Sequence, residues 1–339
     1  MNLTLLHQLV ADHYIHAQKH PTADLWIYNY AAKTQYEQLW NEVTLACRGL
    51  ILDGQGQVAA RPFAKFFNLA EHEPSQLPDE PFEVFEKMDG SLGILYWVDD
   101  RPFIATRGSF SSEQAQHATA LLHERYATIF PKLRRDATYL FEIIYPENRI
   151  VVDYGPTDDL HLLGIIDNAT GQDRPTDPDL GFPLPTRHEG LTDWRHLHHA
   201  PNATNREGFV LRFQSGLRVK VKFEEYVRLH RLVTGASNVT IWEHLAAERP
   251  LDELLERVPD EFYAWVQQVV AELQGEFAAI ETECRAAFKT FDTRKETALY
   301  FLTQPHPPVL FAMLDGKDYA GAIWKLVKPR WRKAWRVEV

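Results

Sequence analysis

Cysteine is scarce in this chain. Its 339 residues include two, Cys47 and Cys284, too few and too far apart for a disulfide framework. Apolar runs of membrane-spanning length are missing, and so is a secretory h-region, so the expectation is a cytoplasmic protein with no membrane partner. Positive charge is in deficit: Lys and Arg number 36 against 47 Asp and Glu, a formal net charge of −11. That excludes a generic nucleic-acid coat but leaves room for a local basic cleft, because binding depends on where charge sits. There is no repeat at solenoid period, no low-complexity segment, and no kinase phosphate-binding loop or phosphatase motif. No protein partner is implied. What is present is globular material, 45% hydrophobic and 12% aromatic, long enough for one large domain and a smaller one.

Periodicity divides the chain in two. Leu3, Leu6, Leu9, Val10 and Tyr14 predict a helix over 3–19. Strands are expected at Leu25 to Tyr30, Cys47 to Asp53 and Val58 to Phe63, the last pair turned at Gly54-Gln55-Gly56 and extended by Lys65 to Asn68. Residues 35–43 read as helical or irregular. Phe82 to Phe85 and Leu92 to Val98 read as a hairpin around Met88-Asp89-Gly90-Ser91. A strand at Pro102 to Gly108 precedes a helix over 112–129, with Ser111 or Ser112 as N-cap. Thr138 to Ile144, Ile150 to Tyr154 and Leu160 to Ile166 are β-rich, and 168–206 reads as a long irregular excursion. Strands return at Gly208 to Phe213 and Leu217 to Phe223. After about residue 224 the period becomes helical, with one long amphipathic helix over 260–289 and shorter ones at 293–302, 308–314 and 318–327. The fold class is therefore α+β, with an all-helical C-terminal domain.

Several charged groups stand on strands or strand ends where a pure core would exclude them: Arg48, Lys65, Lys87, Arg107, Glu142, Glu207, Lys220 and Lys222. Each taken alone reads equally as a surface charge on the wet face of its strand. Lys220-Val221-Lys222 puts two amines on one face and Val221 on the other. The ordered set carries more than its members.

Lys87-Met88-Asp89-Gly90-Ser91 resembles the nucleophile motif of the covalent nucleotidyltransferases, and specifically of the bacteriophage T4 RNA ligase 1-like family. Cys47-Arg48-Gly49 and Arg61 to Asn68 are similar to that family's signatures before the nucleophile. Thr106-Arg107-Gly108-Ser109 resembles motif Ia, and Phe141-Glu142-Ile143-Ile144 resembles motif III, followed by Asn148-Arg149-Ile150-Val151. Glu207-Gly208-Phe209-Val210 is similar to motif IV, and Lys220-Val221-Lys222 with Tyr226 to motif V. The resemblance covers roughly residues 45–230. It implies a nucleotidyltransferase (ATP-grasp-like ligase) domain of antiparallel sheets with flanking helices over 1–235, and a helical domain over 236–339 that selects the RNA.

The same resemblance implies an ATP-dependent RNA ligase that uses Mg²⁺ or Mn²⁺. Lys87 would carry AMP as a phosphoramidate, pass it to an RNA 5′-phosphate, and release it when an RNA 3′-hydroxyl attacks; cleaved tRNA is one candidate substrate. A free lysine with a pKa of ~10.4 is neutral in about one part in 2,500 at pH 7, a penalty of roughly 4.6 kcal/mol. Lys220, Lys222 and a metal ion are the implied sources of relief, and would also neutralise phosphate charge. By similarity Glu142 holds the ribose, and Glu207 helps place the metal, directly or through water. Arg48, Lys65 and Arg107 contact phosphates, Tyr226 lines the nucleotide pocket, and Asp89 and Gly90 shape the turn and let the backbone approach the nucleotide, as ATP-binding residues. At Arg107 some relatives carry lysine, which keeps the charge and loses the planar fork.

Other features add less. His196-Leu197-His198-His199 lies in the irregular excursion without thiols or carboxylates around it, and reads as loop histidines. Asp315-Gly316-Lys317 reverses the nucleophile motif and reads as the start of the last helix. Residues 317–339 interleave basic side chains with Trp324, Trp331 and Trp335, which suits either RNA stacking or docking of the tail on the body. A DNA ligase or capping-type guanylyltransferase would append a small β-barrel, against the helical period after 235. A non-catalytic RNA-binding relative would be expected to have lost Lys87, Lys220 or Lys222.

Overall fold

Apolar and β-branched runs dominate the chain up to Lys222, and several of them, such as residues 137–144, are buried on both faces. A computed structural model describes residues 1–199, 203–234, 237–255 and 263–330. The chain forms two compact units, Met1–Val233 and Thr234–Val339.

The first unit holds three antiparallel sheets. One is a meander of β1 (Ile15–Lys19), β2 (Leu25–Tyr30), β3 (Arg48–Asp53) and β4 (Val58–Ala60), in that order. Helix α1 (Leu3–Ala11) and helix α3 (Glu42–Ala46) bury Leu6, Leu9 and Val43 against Ile15, Leu50 and Leu52; α2 (Ala32–Tyr36) follows β2. The second sheet has the order β10-β9-β8-β6-β7 and contains β6 (Ser91–Val98), β7 (Arg101–Ala105), β8 (Ala137–Ile144), β9 (Asp159–Asp167) and β10 (Asp173–Arg174). Helix α4 (Glu113–Arg125) starts at Ser112, whose side chain accepts from Ala115 N, and it packs Ala118, Leu121 and Leu122 on Phe141, Ile143 and Leu160. The third sheet has the order β11-β5-β12-β13, with β5 (Phe82–Lys87), β11 (Arg187–His188), β12 (Gly208–Phe213) and β13 (Arg218–Lys222). Helix α5 (Glu224–Thr234) follows directly.

Several expectations need correction. The predicted helix over 3–19 ends at Ala11, because the chain turns at His13 with φ 61° and β1 then pairs with β2. The pair around Lys87 is not a hairpin. β5 pairs with β12 and β11, whereas β6 pairs with β8 and β7, so Met88 to Gly90 carries the chain from one sheet to another. Ile150 to Tyr154 forms no strand; its backbone N–H groups bond to a side chain instead, as described below. β4 stops at Ala60, before donor-less Pro62, and Asn68 instead bridges to Lys220 in parallel. The excursion over 168–206 does contain the two-residue strands β10 and β11, each edging a sheet.

The second unit is helical: α6 (Asn238–Ala246), α7 (Asp252–Leu255), α8 (Tyr263–Ala287), α9 (Arg294–Phe301), α10 (Pro307–Leu314) and α11 (Ala320–Leu326). α8 buries Val266, Val269, Val270, Leu273 and Cys284, one helical face, and Phe277 meets Trp324 at 4.8 Å between ring centres. Thr293 and Glu296 cap α9 reciprocally. Asp315-Gly316-Lys317 ends α10 rather than beginning α11, with Gly316 left-handed at φ 63°. Residues 260–262 at the expected start of α8, and Trp331 and Trp335 of the tail, lie outside the described residues. No described helix is long and apolar enough to cross a membrane.

Gly208 sits where β5, β12 and β13 meet, opposite both Lys87 and Lys222. Its φ is +153°, and a Cβ there would lie 1.9 Å from the Val221 carbonyl oxygen. Gly208→Ala should lower stability in urea unfolding by at least about 2 kcal/mol. Gly155→Ala, at φ +62° with nothing within 4 Å of the added carbon, should cost about 1 kcal/mol. Equal losses would contradict the packing account.

Candidate active site

The ladder that places Gly208 between Lys87 and Lys222 brings two ammonium groups to one carboxylate. Glu207 immediately precedes β12, and Phe223 N donates to its carbonyl at 2.9 Å. Its side chain is 3% exposed, with Oε2 2.7 Å from Lys87 Nζ and Oε1 3.3 Å from Lys222 Nζ. A buried carboxylate would be costly without such partners, and here each oxygen has one. Lys87 is 22% exposed, so its amine is both held and reachable. Lys222 Nζ also lies 5.4 Å from the centre of the Tyr226 ring.

The segment after Lys87 is held by a buried acid. Asp89 Oδ2 accepts from Val151 N at 2.9 Å and Val152 N at 2.8 Å, and Oδ1 accepts from Tyr226 Oη at 2.7 Å. Asp89 N donates to Tyr154 Oη at 2.8 Å, and Ser91 Oγ donates to Asn148 Oδ1 at 3.1 Å. The expected turn-forming Asp is thus also an anchor that ties the segment after Lys87 to 148–154. Gly90 is dictated by closeness, since a Cβ there would lie 2.5 Å from the Ile143 carbonyl oxygen.

Gly90 N donates to Glu142 Oε1 at 2.9 Å, which fixes that carboxylate beside the loop. Burial pushes the Glu142 carboxyl up to about 7; the Lys87 charge and the Gly90 hydrogen bond work against this, and Glu207 and Asp89 reinforce it.

Arg48, Lys65 and Arg107 form a second group around aromatic rings. Lys65 is 7% exposed, with Nζ 5.4–5.5 Å from the ring centres of Tyr30, Trp40 and Phe67 and 3.5 Å from Gln35 Oε1. Arg107 lies over the other neighbour of this cluster, the Tyr30 ring, at 5.5 Å, and Arg48 lies over Phe66 at 5.7 Å. Lys220 joins this group to β13, because Lys220 N donates to Phe67 O at 3.0 Å.

Among the described residues no group of three or more His, Cys, Asp or Glu could cage a metal ion. Glu207, the one carboxylate the resemblance gives to a metal, is an oxygen donor of the kind a hard cation such as Mg²⁺ takes, and both its oxygens already face lysine amines, which leaves contact through water. The side chains of His196, His198 and His199 lie outside the described residues. Sequence reasoning missed Tyr154, Arg206 and the rings around Lys65. Tyr154 lies just past the Asn148 to Val151 segment and Arg206 just before Glu207, which was the available signal; Tyr30 and Trp40 offered none.

The profile of the RNA ligase family matches residues 46–227. A Thermovibrio ammonificans protein named "Putative RNA ligase" is 31% identical over 211 residues, 57% of this chain and 54% of that protein. A "Putative bifunctional polynucleotide kinase/RNA ligase" of Autographa californica nuclear polyhedrosis virus is 28% identical over 264 residues, 70% of this chain and 38% of that protein. The chain thus spans about half the length, or less, of these curated relatives. Among solved structures, a "Putative ATP-dependent DNA ligase from Aquifex aeolicus" shares the fold, with TM-score 0.50 at 13% identity, over 93% of this chain and 99% of that one.

The Glu142 carboxyl gives a signed pH prediction. Its folded value of about 7 lies above the ordinary 4.5, so its contribution to stability is full below 4.5 and is lost as pH rises through 7. Glu142→Gln keeps the neutral state, so its unfolding free energy should gain on the wild type between pH 5 and pH 8, as read by parallel urea titrations. A pH-independent difference would contradict the burial argument.

Proposed function

Because the chain belongs to the T4 RNA ligase 1-like family, we propose that it is an ATP-dependent RNA ligase joining 5′-phosphate to 3′-hydroxyl ends. The observation that carries this reading is the buried Glu207 carboxylate set between Lys87 and Lys222. It holds a reachable lysine amine beside a second cation, as attack on a nucleotide phosphate requires.

In the first step Lys87 Nζ gives up a proton and bonds to the α-phosphorus of ATP, while the bond to the pyrophosphate oxygen breaks. Glu207 orients the amine, and Lys222 with Lys220 offsets charge on the α-phosphate and the departing pyrophosphate. Glu142, fixed by Gly90 N, is placed for the ribose hydroxyls. Arg48, Lys65 and Arg107 serve the outer phosphates or the RNA phosphate, with Lys65 and Arg107 steadied by the Tyr30 ring. A divalent ion bound with the nucleotide supplies further neutralisation of phosphate charge. An RNA 5′-phosphate oxygen next attacks the AMP phosphorus and frees Lys87, leaving a 5′–5′ pyrophosphate. The RNA 3′-hydroxyl then attacks the RNA phosphorus and AMP departs.

The helical unit, which lacks the strands of an appended β-barrel among its described residues, is where we place choice of RNA; a cleaved tRNA is one substrate of the right end chemistry. The likeness to a DNA ligase structure is one of fold alone.

Incubation with α-labelled ATP and Mg²⁺ or Mn²⁺ should leave label on the denatured chain. GTP should leave none, and neither should ATP with Lys87→Ala. Added 5′-phosphorylated RNA should be adenylylated and sealed, and DNA strands should not. Sealing of DNA in preference to RNA would overturn the substrate, and absence of label with either metal would overturn the chemistry.

A further inference from the structure

Two adjacent residue pairs meet back to back at the end of β5. Glu86 and Lys87 are neighbours on that strand and point to opposite faces. Arg206 and Glu207 are neighbours entering β12. On one face Lys87 meets Glu207 at 2.7 Å. On the other, Glu86 meets Arg206: Nε donates to Oε1 at 2.7 Å, and a terminal guanidinium nitrogen donates to Oε2.

The second pair is built into its surroundings. His188 on β11 places Nε2 2.8 Å from Glu86 Oε2, and the Arg206 guanidinium lies over the rings of Phe209 at 5.4 Å and Phe223 at 5.6 Å. Glu86 is mostly buried. Burial works to raise its carboxyl, but the Arg206 and His188 hydrogen bonds and charges hold it below its ordinary value. It therefore stays ionised and keeps its grip.

A planar fork on a carboxylate fixes both distance and orientation, which a single point contact does not. The fork here spans β5 and the entrance to β12 at the register pair Phe209 and Glu86, one residue from Gly208 and Lys87. Fixing the Arg206 backbone fixes that of Glu207, and so fixes where the Glu207 carboxylate lies between the two lysines.

We infer that Arg206, through its bidentate pair with Glu86, is a positioning residue for adenylylation of Lys87. The inference rests on the ligase reading above. Among the described residues Arg206 bonds to neither Lys87 nor Lys222; it lies over the ring of Phe223, whose backbone N–H holds the Glu207 carbonyl, and works through the strand it clamps. Its loss leaves the ATP contacts in place and disturbs the aim of the amine.

The test is single-turnover formation of lysyl-AMP by the full chain, with α-labelled ATP and Mg²⁺, over a range of ATP concentrations. Arg206→Ala should lower the rate at saturating ATP by about tenfold or more, the scale of a sub-ångström to ångström misplacement, while the half-saturating ATP concentration stays within about twofold. Glu86→Gln should lose a similar factor, and the double variant should be no slower than the slower single, because both changes break one unit. Arg206→Lys should recover part of the rate. If Arg206→Ala fails to fold, Arg206→Lys decides, with a loss of about threefold or more supporting the inference. An unchanged rate, a rate and half-saturation that shift together, or losses that multiply in the double variant would overturn it. A wild-type chain that takes no label would overturn the ligase reading itself, whereas a labelled wild type beside an equally fast variant overturns this inference alone.

Discussion

One carboxylate, buried between two ammonium groups, organises the first unit. Glu207 cannot leave water without compensation, and the compensation comes from Lys87 and Lys222 on strands to either side. That single pairing demands the order β5-β12-β13 and the register that sets Gly208 opposite both lysines. It demands a glycine there as well, because the strands approach too closely for a side chain. The same constraint brings three separated stretches of chain to one cluster of charges.

A second layer of constraint holds the loop that follows Lys87. Asp89 stands between the third sheet and the second, accepting from two backbone N–H groups and one tyrosine hydroxyl. Each of these donors would otherwise be a buried polar group without a partner, so the anchor and the segment 148–154 stabilise each other. Gly90 then brings its N–H to Glu142. Lys87, Glu207 and Glu142 are therefore linked by backbone geometry as well as by side chains.

Much of this was legible in the sequence, and the limits have physical causes. Strand positions followed from β-rich apolar runs, and the ordered motifs singled out Lys87, Glu142, Glu207, Lys220 and Lys222, of which Lys87, Glu207 and Lys222 meet directly. Asp-Gly after a β run reads as a hairpin turn, yet φ freedom at Gly90 says nothing about which strands will pair. Partner choice was decided by β12, more than a hundred residues away. The helix over 3–19 looked continuous because neither Gly nor Pro interrupts it; His13 makes the break by adopting a left-handed backbone. Arg206 and the rings around Lys65 gained meaning only from tertiary neighbours, which no local pattern encodes. Asp89 and Gly90, expected to shape the turn and let the backbone approach the nucleotide, also anchor segment 148–154 and pack closely on Ile143.

The account turns on Lys87 as the atom that carries AMP. Mass analysis of the intact chain after exposure to ATP and Mg²⁺, followed by peptide mapping, reads this directly. The account predicts an added mass of one AMP, confined to the peptide that contains Lys87 and discharged by pyrophosphate. An AMP adduct on another residue, or an unmodified chain that nevertheless seals RNA, would contradict it.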